Sequence, residues 1–330
     1  MSDFTSLHQG ETRIHHVKAP ANPTLKTYNF YLVEHSEGLY LIDAGMNNEH
    51  CEKAFMHMLQ KLNFTMEDLN GIILTHHHPD HVGLVHRIQR RNPNIKVYAH
   101  PASIPYITQD KEFLVERIAF FEEMYHVMDA MPDAHRQIEE MKKSLVANEP
   151  LRIEGDIELI QEGDQILDFN VVEVPGHAPD QIMLYDPNKK WAFVGDLVIE
   201  HMSTNAIIEP DREGRLLPTV TQHLESLYRC LSLKAMRLFS GHGDVIQETE
   251  SVIQNKIARL QQKQERIMNL IRAGYRTAGE MARFYYQDNY KQQFFLVMSE
   301  VIGLLDHLER TGRIVSRKMR GKYHYFIRLS

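Results

Sequence analysis

The stretch Gly71-Ile72-Ile73-Leu74-Thr75-His76-His77-His78-Pro79-Asp80-His81 decides how this chain is read. A short apolar strand runs straight into a polar loop holding four histidines and an aspartate. A strand end delivers such side chains into a loop, where the backbone can fold several of them around one point. His76 and His78 can then share one metal ion, while Asp80 and His81 turn toward a second, because imidazole and carboxylate are both metal ligands. One loop histidine is usually a surface residue. An H-x-H-x-D-H spacing is not explained that way.

Outward from this loop the same design repeats. Phe30-Tyr31-Leu32-Val33 and Leu39-Tyr40-Leu41-Ile42 flank the polar turn Ser36-Glu37-Gly38 and predict a hairpin. Ile95 to Tyr98 is a further strand after a helical stretch. Val171 to Val174, Trp191 to Val194 and Arg237 to Phe239 each run into a loop containing His or Asp. Strands interleaved with helices indicate an α/β core.

These stations, taken together, resemble the metallo-β-lactamase superfamily. Its pattern asks for an Asp before Gly after the early hairpin, and Ile42-Asp43-Ala44-Gly45 stands there. It asks for Pro175-Gly176-His177, then Gly195-Asp196, then Gly241-His242-Gly243, and all appear in order over roughly residues 12–250. The resemblance implies an αββα sandwich with a dinuclear metal site. His76, His78 and His177 are the implied ligands of one ion, Asp80, His81 and His242 those of the other, and Asp196 bridges both. Asp43 is expected to support the loop from outside. Zinc suits this nitrogen and oxygen set, and manganese or iron suit it too. The implied chemistry is a hydroxide held between two metals, with Asp80 also carrying a proton to the leaving group. No nucleophilic serine or cysteine is needed, and no G-x-S-x-G segment is present.

Among the remaining candidates, His77 is expected to point away from the ligands and His100 to pack near them. His201 follows Asp196 and is a candidate substrate contact.

Between Ile104 and Asn148 the strand pattern stops, and apolar residues recur at helical spacing. Phe113, Phe120, Phe121, Met124, Tyr125, Met128 and Met131 precede Pro132, and a second helix follows Asp133 as its expected cap. This is a helical insertion. It either packs on the core or forms a lid, in which case Phe120, Phe121, Tyr125 and Met128 face a hydrophobic substrate.

The chain has 330 residues, enough for roughly two domains. Residues 251–330 carry 15 Lys and Arg against 6 Asp and Glu, leaving 22 against 38 in residues 1–250. That asymmetry predicts a catalytic module over 1–250 and a second module over 251–330. Three apolar helical stripes, ending at Gly274, near Tyr286 and at Gly312, and a closing hairpin around Arg320-Gly321 describe a winged helix. The tail resembles the winged-helix domain of the branch that includes β-lactamase-like protein 2 and glyoxalase II-like enzymes, and that branch includes a nuclease acting on single-stranded RNA. Arg313, Arg317, Lys318, Arg320, Lys322 and Arg328 make the hairpin basic, able to meet phosphates.

Two functions follow. One is hydrolysis of a small thioester, ester or lactone under the insertion. The other is cleavage of single-stranded RNA guided by the basic hairpin, a reading opposed by the acidic catalytic module. An oxygenase on the same ligands fits less well, since both metal sites look complete. Cys51 and Cys230 are far apart and outside any CxxC pattern, so they read as small buried hydrophobes. Neither a secretory leader within Met1 to Arg13 nor an apolar run long enough for a membrane is seen, and cytoplasm is the expected location. A homodimer is compatible with the second module.

Overall fold

Side chains alternate across the segment Thr27–His35 (β3). Phe30 and Leu32 enter one apolar layer, Tyr31 and Val33 another, and all four are buried. A strand buried on both faces must lie between two layers. The structure, a computed structural model describing residues 6–9 and 12–328, shows both. Most of the N-terminal stretch inspected for a leader lies outside the described residues.

One sheet runs in chain order from β1 (Ser6–Gln9) and β2 (Thr12–Pro20) through β3, β4 (Gly38–Ile42), β5 (Leu69–Ile73) and β6 (Lys96–Ala99) to β7 (Ile157–Leu159). The predicted hairpin is present as antiparallel β3 and β4, while β4 to β7 pair in parallel. The other sheet holds β8 (Gln165–Ile166), β9 (Phe169–Glu173), β10 (Ile182–Asp186), β11 (Trp191–Gly195) and β12 (Arg237–Ser240).

Tyr31, Val33, Ile42, Phe169, Phe193 and Phe239 fill the space between the sheets. Outside the first sheet lie α1 (Glu49–Leu62), the single-turn α2 (Pro79–Val82) and α3 (Val85–Arg91), with Phe55, Met58 and Ile88 packed on it. α4 (Ile104–Ile107), α5 (Lys111–Val127) and α6 (His135–Ala147) form the insertion, and α7 (Thr219–Ser232) covers the second sheet through Leu227 and Cys230. The order is helix, sheet, sheet, helix. Both cysteines are buried, which raises their thiols to about 11 for Cys51 and about 12 for Cys230.

Strand direction places the chemistry. β9 and β11 both run antiparallel to β10, and β11 runs parallel to β12, so the loops leaving β9, β11 and β12 share one end of their sheet. The loops leaving β4, β5 and β6 share one end of theirs. The two ends are tied together where the Ile182 amide donates to the Thr75 carbonyl at 2.9 Å and the Tyr31 hydroxyl donates to the Ser240 carbonyl at 2.6 Å.

The chain closes with α8 (Thr249–Arg272), α9 (Ala278–Tyr286), α10 (Asp288–Gln292), α11 (Phe294–Arg310) and the hairpin β13 (Ile314–Met319) and β14 (Lys322–Ile327). α9 starts at a capping box: the Glu280 amide donates to Thr277 Oγ1 at 3.2 Å, and the Thr277 amide donates back to Glu280 at 3.1 Å. Residue 250 is not a packing boundary. Ile253 and Ile257 of α8 belong to the core of the second sheet, while Ile267, Met268 and Ile271 belong to another core.

That other core unites the insertion with the tail. Phe121 and Tyr125 of α5 and Ile138 of α6 lie in one apolar cluster with Phe294, Val297 and Val301 of α11. The expectation that Phe121, Tyr125 and Met128 face a substrate is therefore corrected. All three are buried in this shared core, and partly buried Phe120 packs against it. The physical reason is area: two apolar helix faces exclude more water against each other than against a small ligand. Asp133 is not the cap of α6 either. The residue before α6 is Ala134, without a side-chain cap, and Asp133 instead accepts from Tyr290 at 2.9 Å and from Arg283 at 3.3 Å.

Candidate metal centre

Asp43, following β4, has φ of 56°, a left-handed conformation that costs a non-glycine residue energy and is kept where its surroundings impose it. Its carboxylate accepts from the Thr75 amide and from Thr75 Oγ1, each at 2.8 Å, and stands 2.7 Å from His81 Nδ1. Thr75 has spent its only hydroxyl proton on Asp43, so at 3.0 Å it accepts from His76 Nδ1.

The same logic fixes two more rings. His177 Nδ1 lies 2.8 Å from the Asn205 carbonyl and His242 Nδ1 lies 2.7 Å from the Thr27 carbonyl. A carbonyl only accepts, so both Nδ1 atoms carry hydrogen and, in a neutral ring, Nε2 keeps its lone pair. His76, His81, His177 and His242 are thus oriented by outer partners with Nε2 turned inward, as ligating imidazoles are held.

What they turn toward is one small volume. His78 Nδ1 lies 3.1 Å from His76 Nε2 and 2.9 Å from His177 Nε2. His242 Nε2 lies 3.4 Å from Asp80 Oδ2 and 3.2 Å from Asp196 Oδ2. Asp196 stands between the groups, 3.4 Å from His81 Nε2 and 3.6 Å from His177 Nε2. Three overlapping donor sets result: His76, His78 and His177; His76, His81 and Asp196; Asp80, His81 and His242. His81 Nε2, His242 Nε2 and Asp196 Oδ1 are buried without a hydrogen-bond partner. Buried polar atoms are rarely left so, and divalent cations among them would satisfy all three.

Charge divides the rings into two groups. Burial, reinforced by neighbouring rings, holds His76 and His78 well below the ordinary histidine value, and burial lowers His177. Burial disfavours charge on His242, but Asp196 and Asp80 outweigh it and raise that ring to about 10. Burial would likewise raise Asp80, yet His242 and His81 hold it at about 2. Protons on His242 and His81 balance these carboxylates, and a bound divalent cation would replace those protons. The backbone makes room as well: a Cβ on Gly241 would come within 2.3 Å of Asp196 and 2.5 Å of His81.

A family model described as the metallo-beta-lactamase superfamily matches residues 23–242. The chain belongs to the metallo-beta-lactamase superfamily. Its metallo-beta-lactamase fold carries a divalent-metal site and makes it a metallo-hydrolase. The probable metallo-hydrolase YqjP of Bacillus subtilis (strain 168) is 30% identical over 87% of this chain and 89% of its own. A beta-lactamase-like protein 2 homolog of Drosophila melanogaster is 25% identical over 76% of this chain and 70% of its own. An atrochrysone carboxyl ACP thioesterase of Aspergillus fumigatus (strain ATCC MYA-4609 / CBS 101355 / FGSC A1100 / Af293) is 22% identical over 76% of this chain and 61% of its own. A metallo-beta-lactamase family protein from Thermus thermophilus shares the fold with TM-score 0.75 at 21% identity, covering 96% of this chain and 98% of that one.

A cavity of about 460 Å³ opens beside His78 and Asp80. Its walls come from α5 and α6 through Leu114, Ile118, Met141 and Leu145, with Phe295 reaching in from α11. The insertion therefore does border the site, with different residues from those expected. His77 stacks on Tyr106 with ring centroids 3.6 Å apart and reaches Asp180 at 2.7 Å, away from the donor sets. His100 lies 3.1 Å from Glu173. His201 is not among the cavity residues: its Nε2 lies 2.9 Å from the Thr24 carbonyl, and its ring packs beside Gly243. The loop after Asp196 folds it toward the turn preceding β3, beside the loop that carries His242, rather than toward α5.

Sequence reasoning missed Thr75, Thr27 and Asn205 as outer partners and Arg117 and Glu209 as cavity groups. Thr75 could have been found from its place directly before His76. The others act through a backbone carbonyl or a distant pairing and leave no local signal.

Proposed function

We propose that this chain hydrolyses a small carboxylic derivative, a thioester, ester or lactone, using two divalent metal ions, most simply zinc. The supporting observation is the convergence of seven donor residues at the mouth of a cavity with an apolar wall from α5 and α6. His76, His78 and His177 would hold one ion, Asp80, His81 and His242 the other, and Asp196 would bridge them. Ions held there acidify water toward a pKa of about 7 and polarise the substrate carbonyl. The protein's own part is orientation. Asp43, Thr75, Asn205 and Thr27 hold the rings so that little rearrangement is needed during reaction. Asp80 would hold the second ion and also lines the cavity, a position from which it would pass a proton to the leaving group. Apolar walls beside it suit an acyl group, and a thioesterase among the relatives is consistent with that choice.

Cleavage of RNA gains no support. Arg313 pairs with Glu265, Lys322 donates to the His126 carbonyl, and Arg317 and Lys318 lie over Phe326 and Tyr323 at 5.5 and 5.8 Å. Arg313 and Lys322 are thus engaged within the chain, and the acidic catalytic module opposes a polyanion at the site. We regard residues 251–330 as a winged-helix-like module that serves as a wall of the substrate cavity, with a cytoplasmic enzyme acting on a small molecule as the consistent picture.

The test is turnover by the zinc-loaded protein of acyl thioesters, lactones and single-stranded RNA, each beside His78→Ala. Ester-type turnover that falls roughly 10⁴-fold in the variant is the expected result, several kcal/mol of Lewis-acid assistance being removed. RNA cleavage without ester turnover would overturn the proposal.

A further inference from the structure

One partly buried cation on the cavity wall has no part in the metal centre. Arg117 of α5 has a side chain only 18% exposed, and it forks onto Glu209, itself 1% exposed, with Nε donating at 2.6 Å and Nη2 donating to the other oxygen. Tyr106 donates to the same carboxylate at 3.2 Å. The guanidinium lies over the Phe121 ring at 5.0 Å and beside Tyr106 at 5.6 Å, so its plane is fixed from two sides.

A guanidinium has five N–H donors, and this one uses two. Nη1 has no protein partner among the described residues, and Arg117 and Glu209 both line the cavity that opens at His78 and Asp80. A free donor of a charged, rigidly held guanidinium that faces the cavity is placed to bond a ligand oxygen, and a charge-assisted hydrogen bond of that kind is stronger than one between neutral groups. Three carboxylates border the same space, Asp80, Glu140 and Glu209, against this single arginine. Glu209 already neutralises Arg117 and Glu140 adds a further negative charge on that wall, so a neutral carbonyl or hydroxyl oxygen suits Nη1 better than an anionic one.

Resting on the hydrolase function above, we propose that Arg117 is a specificity-determining residue that selects substrates whose acyl portion carries a neutral oxygen acceptor, an amide or keto carbonyl or a hydroxyl. The reacting carbonyl sits at the metal end. The apolar part of the chain runs along Leu114, Ile118 and Met141, and the second oxygen meets Nη1. Glu209 and Tyr106 position the guanidinium and keep it from drawing in carboxylates.

The test compares thioesters of equal chain length: a plain alkyl chain, chains with one amide carbonyl at the third, fifth or seventh position, and a chain ending in carboxylate. For the protein as it stands, kcat/KM for the best amide chain exceeds that of the plain chain roughly tenfold or more, the usual effect of a hydrogen bond to a charged donor. The carboxylate chain is disfavoured relative to both. In the double variant Arg117→Met/Glu209→Gln, which removes both buried charges together, the ratio falls to within about threefold of one. Arg117→Lys keeps the ion pair without the fork, and it also loses the preference. Metal content and unfolding temperature of both variants show whether the fold is retained.

Calorimetric binding of the carboxylic acid products reads the same preference without turnover. If thioesters are cleaved but no amide position is preferred, the role of Arg117 is overturned while the hydrolase stands. If the amide-bearing acid binds roughly tenfold tighter yet no thioester, ester or lactone is cleaved, the hydrolase function falls and the recognition by Arg117 stands.

Discussion

Around the candidate metal donors, buried polar atoms hold one another: Asp43 takes Thr75 and His81, Thr75 takes His76, and carbonyls of Asn205 and Thr27 take His177 and His242. Between α5, α6 and α8 to α11 the contacts are mostly apolar, with Phe121, Tyr125, Phe294 and Met298 fully or nearly buried. The difference lies in what each region can tolerate. A hydrogen-bonded ring has one acceptable orientation, so its geometry is specific and its net contribution to stability is modest. An apolar core is less particular about identity, but its removal costs the transfer of a large surface and leaves a cavity. Function is thus built on the first region, while the second holds the cavity wall in place.

The largest test of that division is Phe121→Ala, which is expected to lower stability by about 3 to 5 kcal/mol. Urea unfolding should show the insertion and residues 251–330 lost in one transition, because they share a core. Two separate transitions would break the comparison. Zinc affinity measured by competition with a chelator should stay unchanged while the protein remains folded.

The converse is Asp43→Ala. It removes the partner of His81 and Thr75, and an outer partner of this kind is worth about 10- to 100-fold in metal affinity. The same chelator competition reads it. Affinity within twofold of the parent would mean that the rings are positioned by packing alone.

A smaller effect concerns pH. Burial, aided by Lys18, lowers His16 of β2 to about 4 from 6.5. Between those values the unfolded chain takes up a proton that the folded chain refuses, so stability is full above 6.5 and is lost as pH falls toward 4. His16 stacks on Tyr31 at 4.7 Å, and His16→Phe keeps the ring without the titration. From pH 7.5 to 5.5 the parent should lose about 1.4 kcal/mol more than the variant in urea unfolding. Equal losses would show that acid acts elsewhere.

The sequence by itself determined the α/β core, the strands that feed each loop, and the set of residues His76, His78, Asp80, His81, His177, Asp196 and His242. It could do so because each candidate donor sits next to a strand end with its own local pattern, and because period-two apolar strands are legible without knowing their partners. The helical insertion and three of the four tail helices were legible from their apolar spacing at helical period, while the short α10 was not. Which faces of those helices meet was not legible. Phe121 and Tyr125 are as apolar as Leu114 and Ile118, and only the meeting of α5 with α11 sends the first pair into a core and the second to a cavity. The Arg117 and Glu209 pair spans 92 positions of chain, and the Asn205 carbonyl reaches His177 through backbone alone. Such contacts depend on tertiary packing, which brings together residues that carry no local signal of each other.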